Sequence, residues 1–137
     1  MSSASNYLEN KVLDHVLRNT AYTQPGNLYI GLFKNNSLTN LEAGTLSDEV
    51  STAGGTLYAR KAVTFGAAAS GTATNSATVT FDAATAEWGT ITAIAITDNV
   101  TVGAGNVLFY GNLTTSKLIE NGDTMQFVST NISVSLA

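Results

Sequence analysis

The run Thr90–Thr97, TITAIAIT, carries apolar side chains on both of its faces. Ile91, Ala93 and Ala95 alternate with Thr92, Ile94 and Ile96, the period of two that marks a β-strand. A strand with no fully polar face belongs inside a sheet, covered above and below. Leu28–Phe33 reads in the same way. Leu28, Ile30 and Leu32 share one face, while Tyr29 and Phe33 occupy the other. These two segments predict the centre of the fold.

Shorter strands flank them. Leu57–Phe65 sets Lys61, Val63 and Phe65 against Arg60, Ala62 and Thr64, so its two adjacent cations point to opposite faces. Ala77–Phe81 turns Val79 and Phe81 inward, with a weak Gly-, Ala- and Thr-rich connection, Ala67–Asn75, before it. Asp82–Gly89 is a turn region in which Trp88 is expected to pack over one end of the core. Asp98–Asn106 reads as a hairpin-like loop. Val107–Tyr110 and Leu113–Thr115 follow as two short strands separated by Gly111-Asn112. Asn121-Gly122-Asp123 is a turn before Thr124–Val128, and Ile132–Leu136 closes the chain with Ile132, Val134 and Leu136 in phase. About seven to nine short strands at regular spacing imply a mainly all-β fold, an antiparallel β-sandwich or barrel-like domain.

One stretch has a different period. In Asn6–Thr20, NYLENKVLDHVLRNT, Leu8, Val12 and Val16 lie four apart, and Leu13 and Leu17 widen the stripe. Asn10, Lys11, Asp14, His15 and Arg18 fall mainly on the other side, as in an amphipathic helix. Asn6 is the expected cap, with Glu9 completing an approximate capping box. The apolar stripe is expected to lie on the sheet. Residues 1–5 read as a flexible polar arm and residues 6–137 as a single domain that includes helix 6–20.

Lys34–Thr56 is the longest stretch without strong periodicity and holds Glu42, Asp48 and Glu49. Long loops in small domains often carry function. The candidate interface residues are therefore Ser2, Ser3 and Ser5 of the arm with Lys34, Asn35, Asn36, Glu42, Asp48 and Glu49 of this loop.

Composition narrows the function classes. The chain has 137 residues, of which 12% are charged and 44% apolar, with a net charge of −4. Its six basic residues (Lys11, Arg18, Lys34, Arg60, Lys61, Lys117) are scattered, which argues against nucleic acid and against an anionic membrane. No apolar run reaches the ~20 residues of a transmembrane helix. There is no cysteine, and MSSASNYLEN lacks the pattern of a signal peptide, so assembly in the cytoplasm is expected.

No catalytic set emerges. His15 is the lone histidine and lies on the polar side of the helix. Asp82 and Glu87 bracket a turn, and Asp98 and Asp123 sit at hairpins, where Asp ordinarily bonds backbone amides. Gly103-Ala104-Gly105 lacks the third glycine and following helix of a nucleotide loop. Neither zinc nor EF-hand patterns occur. The protein is expected to be non-enzymatic and to need no cofactor.

Five pieces of sequence carry a family likeness: Asn6–Tyr22, YARKAVTF at Tyr58–Phe65, NSATVTFDAATAEWGTI at Asn75–Ile91, YGNLTTSK at Tyr110–Lys117 and NGDTMQF at Asn121–Phe127. Together they resemble small tailed-phage proteins commonly labelled "phage tail fiber protein". The resemblance implies a virion component and brings no catalytic or binding residues with it. Three readings follow. The first is a capsid decoration or cement protein that bridges neighbouring subunits as a homo-oligomer, with a trimer the preferred form and the major capsid protein as partner. The alternative is a tail-fibre or tail-tip component that sits among tail proteins and contacts the host. A polysaccharide hydrolase ranks below both, because no carboxylate pair stands out.

Overall fold

The computed structural model describes residues 2–35 and 37–136. Its centre is β6 (Gly89–Thr97), paired antiparallel with β2 (Leu28–Lys34) on one side and β7 (Val107–Ile119) on the other. Strand β3 (Lys61–Val63) adds to β2 and β1 (Ser3–Ala4) adds to β7, which gives a five-stranded sheet in the order β1-β7-β6-β2-β3. Two ribbons complete the strands: β4 (Thr72–Thr74) with β9 (Ser133–Ser135), and β5 (Val79–Thr80) with β8 (Gln126–Phe127). The protein is an all-β domain with one helix of any length at its N-terminal end.

The sheet is covered on both faces, as the apolar patterns of β2 and β6 require. Ile30, Leu32 and Ile96 pack on one side with Tyr58, Phe81, Trp88 and Phe127, beneath the two ribbons. Trp88 is the keystone of that layer. Its ring meets Tyr58 edge-on at 5.3 Å, and its indole N–H donates to the Thr56 carbonyl at 2.7 Å. On the other side Phe33, Ala93, Ala95 and Val107 pack with Leu41. The small Ala93 and Ala95 leave room for the segment that follows β2.

That segment is not the structureless loop expected of Lys34–Thr56. It folds into α2 (Leu38–Glu42) and a 3₁₀ turn (Ala53–Gly55), and Leu41 and Val50 are fully buried. Its apolar residues are few: Leu38, Leu41 and Leu46 roof the second face of the sheet, while Val50 joins the core layer of the first.

Helix α1 (Asn6–Leu17) stops before Thr20. Its cap is Ser5, whose Oγ accepts from the Leu8 N–H at 3.3 Å. Asn19 adopts a left-handed conformation, and the Arg18 and Thr20 amides both donate to the Asp14 carbonyl, closing the helix. The expected burial of its stripe does not occur. Only Leu8 is buried, while Leu13, Val16 and Leu17 are 53%, 69% and 74% exposed. The cause is anchorage: Ser3–Ala4 pairs with Phe109–Tyr110 at the sheet edge, so only the first turn of the helix reaches the core. The same pairing shows that Ser3 and Ala4 are strand, not a flexible arm.

Other boundaries move for local reasons. The expected strand at 57–65 shortens to β3, because Leu57 has a positive φ and Tyr58 and Arg60 turn into the interior. Residues 107–119 form one strand instead of two, so Gly111-Asn112 does not break it. Strand β7 instead absorbs three extra residues between Asn112 and Lys117, where its partner β6 advances only from Ala93 to Ile91.

Candidate functional site

The most tightly built polar cluster lies on the Phe33 side of β2. Gly31 has no side chain there, and the space is taken by Glu49 and Arg60. The Arg60 guanidinium bonds both carboxylate oxygens, Nε to Oε2 at 2.8 Å and Nη2 to Oε1 at 2.7 Å. Tyr58 donates to Oε2 at 2.8 Å, and the Gly103 amide donates to Oε1 at 2.9 Å. Arg60 Nη1 reaches Thr97 Oγ1 and the carbonyls of Asn99 and Ala104. The Arg60 and Glu49 side chains are 0% and 2% exposed, so the cluster has no open position for a substrate, and what it does is fasten loop 98–106 to the sheet.

Tyr58 has a second task. Its oxygen accepts the Leu32 amide at 2.9 Å, at the point along the β2 edge where β3 has ended. Burial, followed by the nearby Glu49 carboxylate, pushes its hydroxyl far above the usual phenol range.

The residues expected to form an interface divide into separate groups. Ser5 is fully buried, its Oγ donating to the Val107 carbonyl, and Glu49 is held by Arg60. Neither is available to a neighbour. Ser3, exposed on β1, lies opposite Tyr110, whose hydroxyl is raised first by burial and then by the Glu42 carboxylate. Ser3 and Glu42 therefore share one neighbourhood. Lys34, Asn35 and Asp48 gather at the end of β2, where Asn35 and Asn40 donate to Asp48 at 3.0 and 2.9 Å and hold its pKa low. Ser2 accepts the Ser135 amide at 3.2 Å near the chain's other end. Asn36 lies outside the described residues.

Three of the acids at turns, and the histidine of α1, have local partners. Asp82 pairs with Lys61 at 2.9 Å, Asp98 holds Asn106, and Asp123 accepts the Glu120 amide. His15 Nδ1 accepts the Tyr22 amide at 3.2 Å, tying the segment after the helix back onto it. Among the described residues no group of three or more His, Cys, Asp or Glu is placed to hold a metal.

What remains open is surface. A groove of about 530 Å³ runs between β7 and the β8–β9 segment, with Ile94, Met125 and Ile132 below and Asn112, Lys117 and Gln126 at its rim. A second groove of about 310 Å³ is lined almost wholly by apolar atoms, from Leu28, Phe65, Ala73, Phe109, Val134 and Leu136. The exposed stripe of α1 is the third surface. Sequence periodicity located that stripe but not its exposure. The two grooves carry no local sequence signal, because distant segments build them.

A family model described as Podophage GP4 fiber I protein gp80 matches residues 3–135. The chain belongs to that family. The match takes in α1, the whole sheet and all of the groove lining except Ser2 and Leu136, and it agrees with the phage-protein resemblance of the motifs. The protein is accordingly a phage structural protein of fibre type, a component of the virion. No curated protein matches the chain. No helix is long and apolar enough to cross a membrane among the described residues.

Proposed function

We propose that this protein is a building block of the phage tail-fibre assembly, working by non-covalent contact and without catalysis. The observation that carries the reading is the fibre-family match across residues 3–135. It favours the tail over the capsid-decoration role that the sequence alone puts first. The protein acts as a homo-oligomer among other tail proteins, assembled in the host cytoplasm. Support comes from the helix, whose Leu13, Val16 and Leu17 form an apolar stripe in water. Isolated exposed leucines are ordinary, whereas a contiguous stripe on one element marks a contact surface.

Charge placement supports protein partners over nucleic acid. Arg18, Arg60 and Lys61 are each neutralised by a carboxylate, at 3.3, 2.7 and 2.9 Å. Phosphate binding would need free, clustered cations.

Electron cryo-microscopy of the intact virion tests the proposal. Density for the chain within the tail is the expected result. Density repeated over the capsid lattice would restore the decoration reading, and absence from the particle would remove both.

A further inference from the structure

Two unpartnered apolar surfaces of this chain are complementary and lie where one molecule cannot join them. The first is the α1 stripe, with Leu13, Val16 and Leu17 at the i, i+3, i+4 spacing by which helices enter grooves. The second is the apolar groove, floored by Ile96, Phe109 and Val134. The floor belongs to the core layer on the Ile30 face. Helix α1 instead starts at the sheet edge, pinned by the Ser5 amide to the Leu108 carbonyl at 2.9 Å. Its Glu9 lies close to Tyr110, which packs on the opposite, Phe33 face. A chain held this way does not lay its helix in its own groove.

We infer that the α1 stripe of one copy docks in the apolar groove of a neighbouring copy. The inference rests on the self-assembly proposed above and names its contact. Chemistry supports the match: the groove, lined by residues such as Leu28, Phe65, Phe109 and Val134, offers almost no polar atom that a sugar or peptide backbone would need, so its occupant is apolar. The remaining exposed large apolar side chains, such as Leu57, Val100 and Val128, sit singly on separate segments. Each copy gives one helix and receives another, so the contact can join identical subunits, as a closed pair where it is reciprocal and as a ring or filament where it runs head to tail.

The test uses two exposed positions, so that neither variant disturbs the core. Leu17→Asp charges the stripe, and Leu136→Asp charges the groove rim, where Leu136 is 61% exposed. Molecular mass by light scattering is followed over a concentration series, with circular dichroism to verify folding. Each variant alone should associate at least tenfold more weakly than the parent. Mixed in equal amounts they should recover a one-to-one dimer, because one retains its groove and the other its helix. Independently, Leu17→Cys on one chain and Ala68→Cys on another should form a mixed disulfide, in a protein that otherwise has no cysteine. If Leu136→Asp associates like the parent and the mixed disulfide fails, the groove contact is wrong while self-assembly stands. A parent that is monomeric at every concentration overturns self-assembly as well.

Discussion

A Cβ placed on Gly31 would stand 2.9 Å from Oε2 of Glu49 and 3.5 Å from Nε of Arg60. The glycine is what lets a buried ion pair lie flat against strand β2. The φ of Gly31 is not in the left-handed region, so the constraint is contact and not backbone conformation. Gly31→Ala should therefore destabilise the fold by about 2–4 kcal/mol through displacement of the carboxylate. Urea unfolding measures it. Gly26→Ala, with open space around its Cβ, serves as the control.

Removing one partner of that pair should cost more than removing both. Arg60→Met leaves a buried carboxylate with Tyr58 and Gly103 as its remaining donors, and a loss of about 3–5 kcal/mol is expected. The double variant Glu49→Leu with Arg60→Met should lose less than the sum of the singles. Additivity in a double-mutant cycle would show that the two residues are not coupled.

Helix α1 should respond unevenly to truncation. Leu8→Ala is expected to cost about 2–4 kcal/mol, and Leu13→Ala about 0.5 kcal/mol or less in the dissociated chain. Ser5→Ala removes both the cap and a buried hydroxyl bond, for about 1–2 kcal/mol. Thermal melts at low protein concentration separate the three.

Tyr58 gives a pH signature. Its folded-state pKa is raised, so folding favours the neutral phenol. The associated stability is complete below pH ~10 and is lost as pH rises above that value. In an alkaline titration of phenolate absorbance, one of the five tyrosines should ionise only with unfolding. Tyr58→Phe should remove that late step.

The central strands were legible because their residues are apolar on both faces, a property that no helix or edge strand among the described residues shares. Trp88 was legible for its size alone. The continuity of β7 was hidden, since Gly111-Asn112 is a turn signal locally and pairing with β6 overrides it. The helix misled in another way: a periodic stripe reports that a face is apolar, not what covers it. Glu49 was read with its acidic loop. Its true partner had two signals, an arginine two residues after Tyr58 in a segment with an alternating pattern and a glycine in the middle of β2. Neither is decisive until the fold brings positions 31, 49 and 60 together.

The three-residue excursion of β7 separates two stretches of the long β6–β7 pairing whose offsets differ, and a smaller shift beyond Ile96 sets off the pair Thr97–Val107. Each stretch keeps its own alignment: Gly89–Ile91 with Lys117–Ile119, and Ala93–Ile96 with Phe109–Asn112. A change of length between Asn112 and Lys117 would thus alter the excursion and leave both alignments intact. Residues 113–116 are the place where this domain can acquire new surface without rewriting its sheet, a built-in port for diversification beside the larger groove.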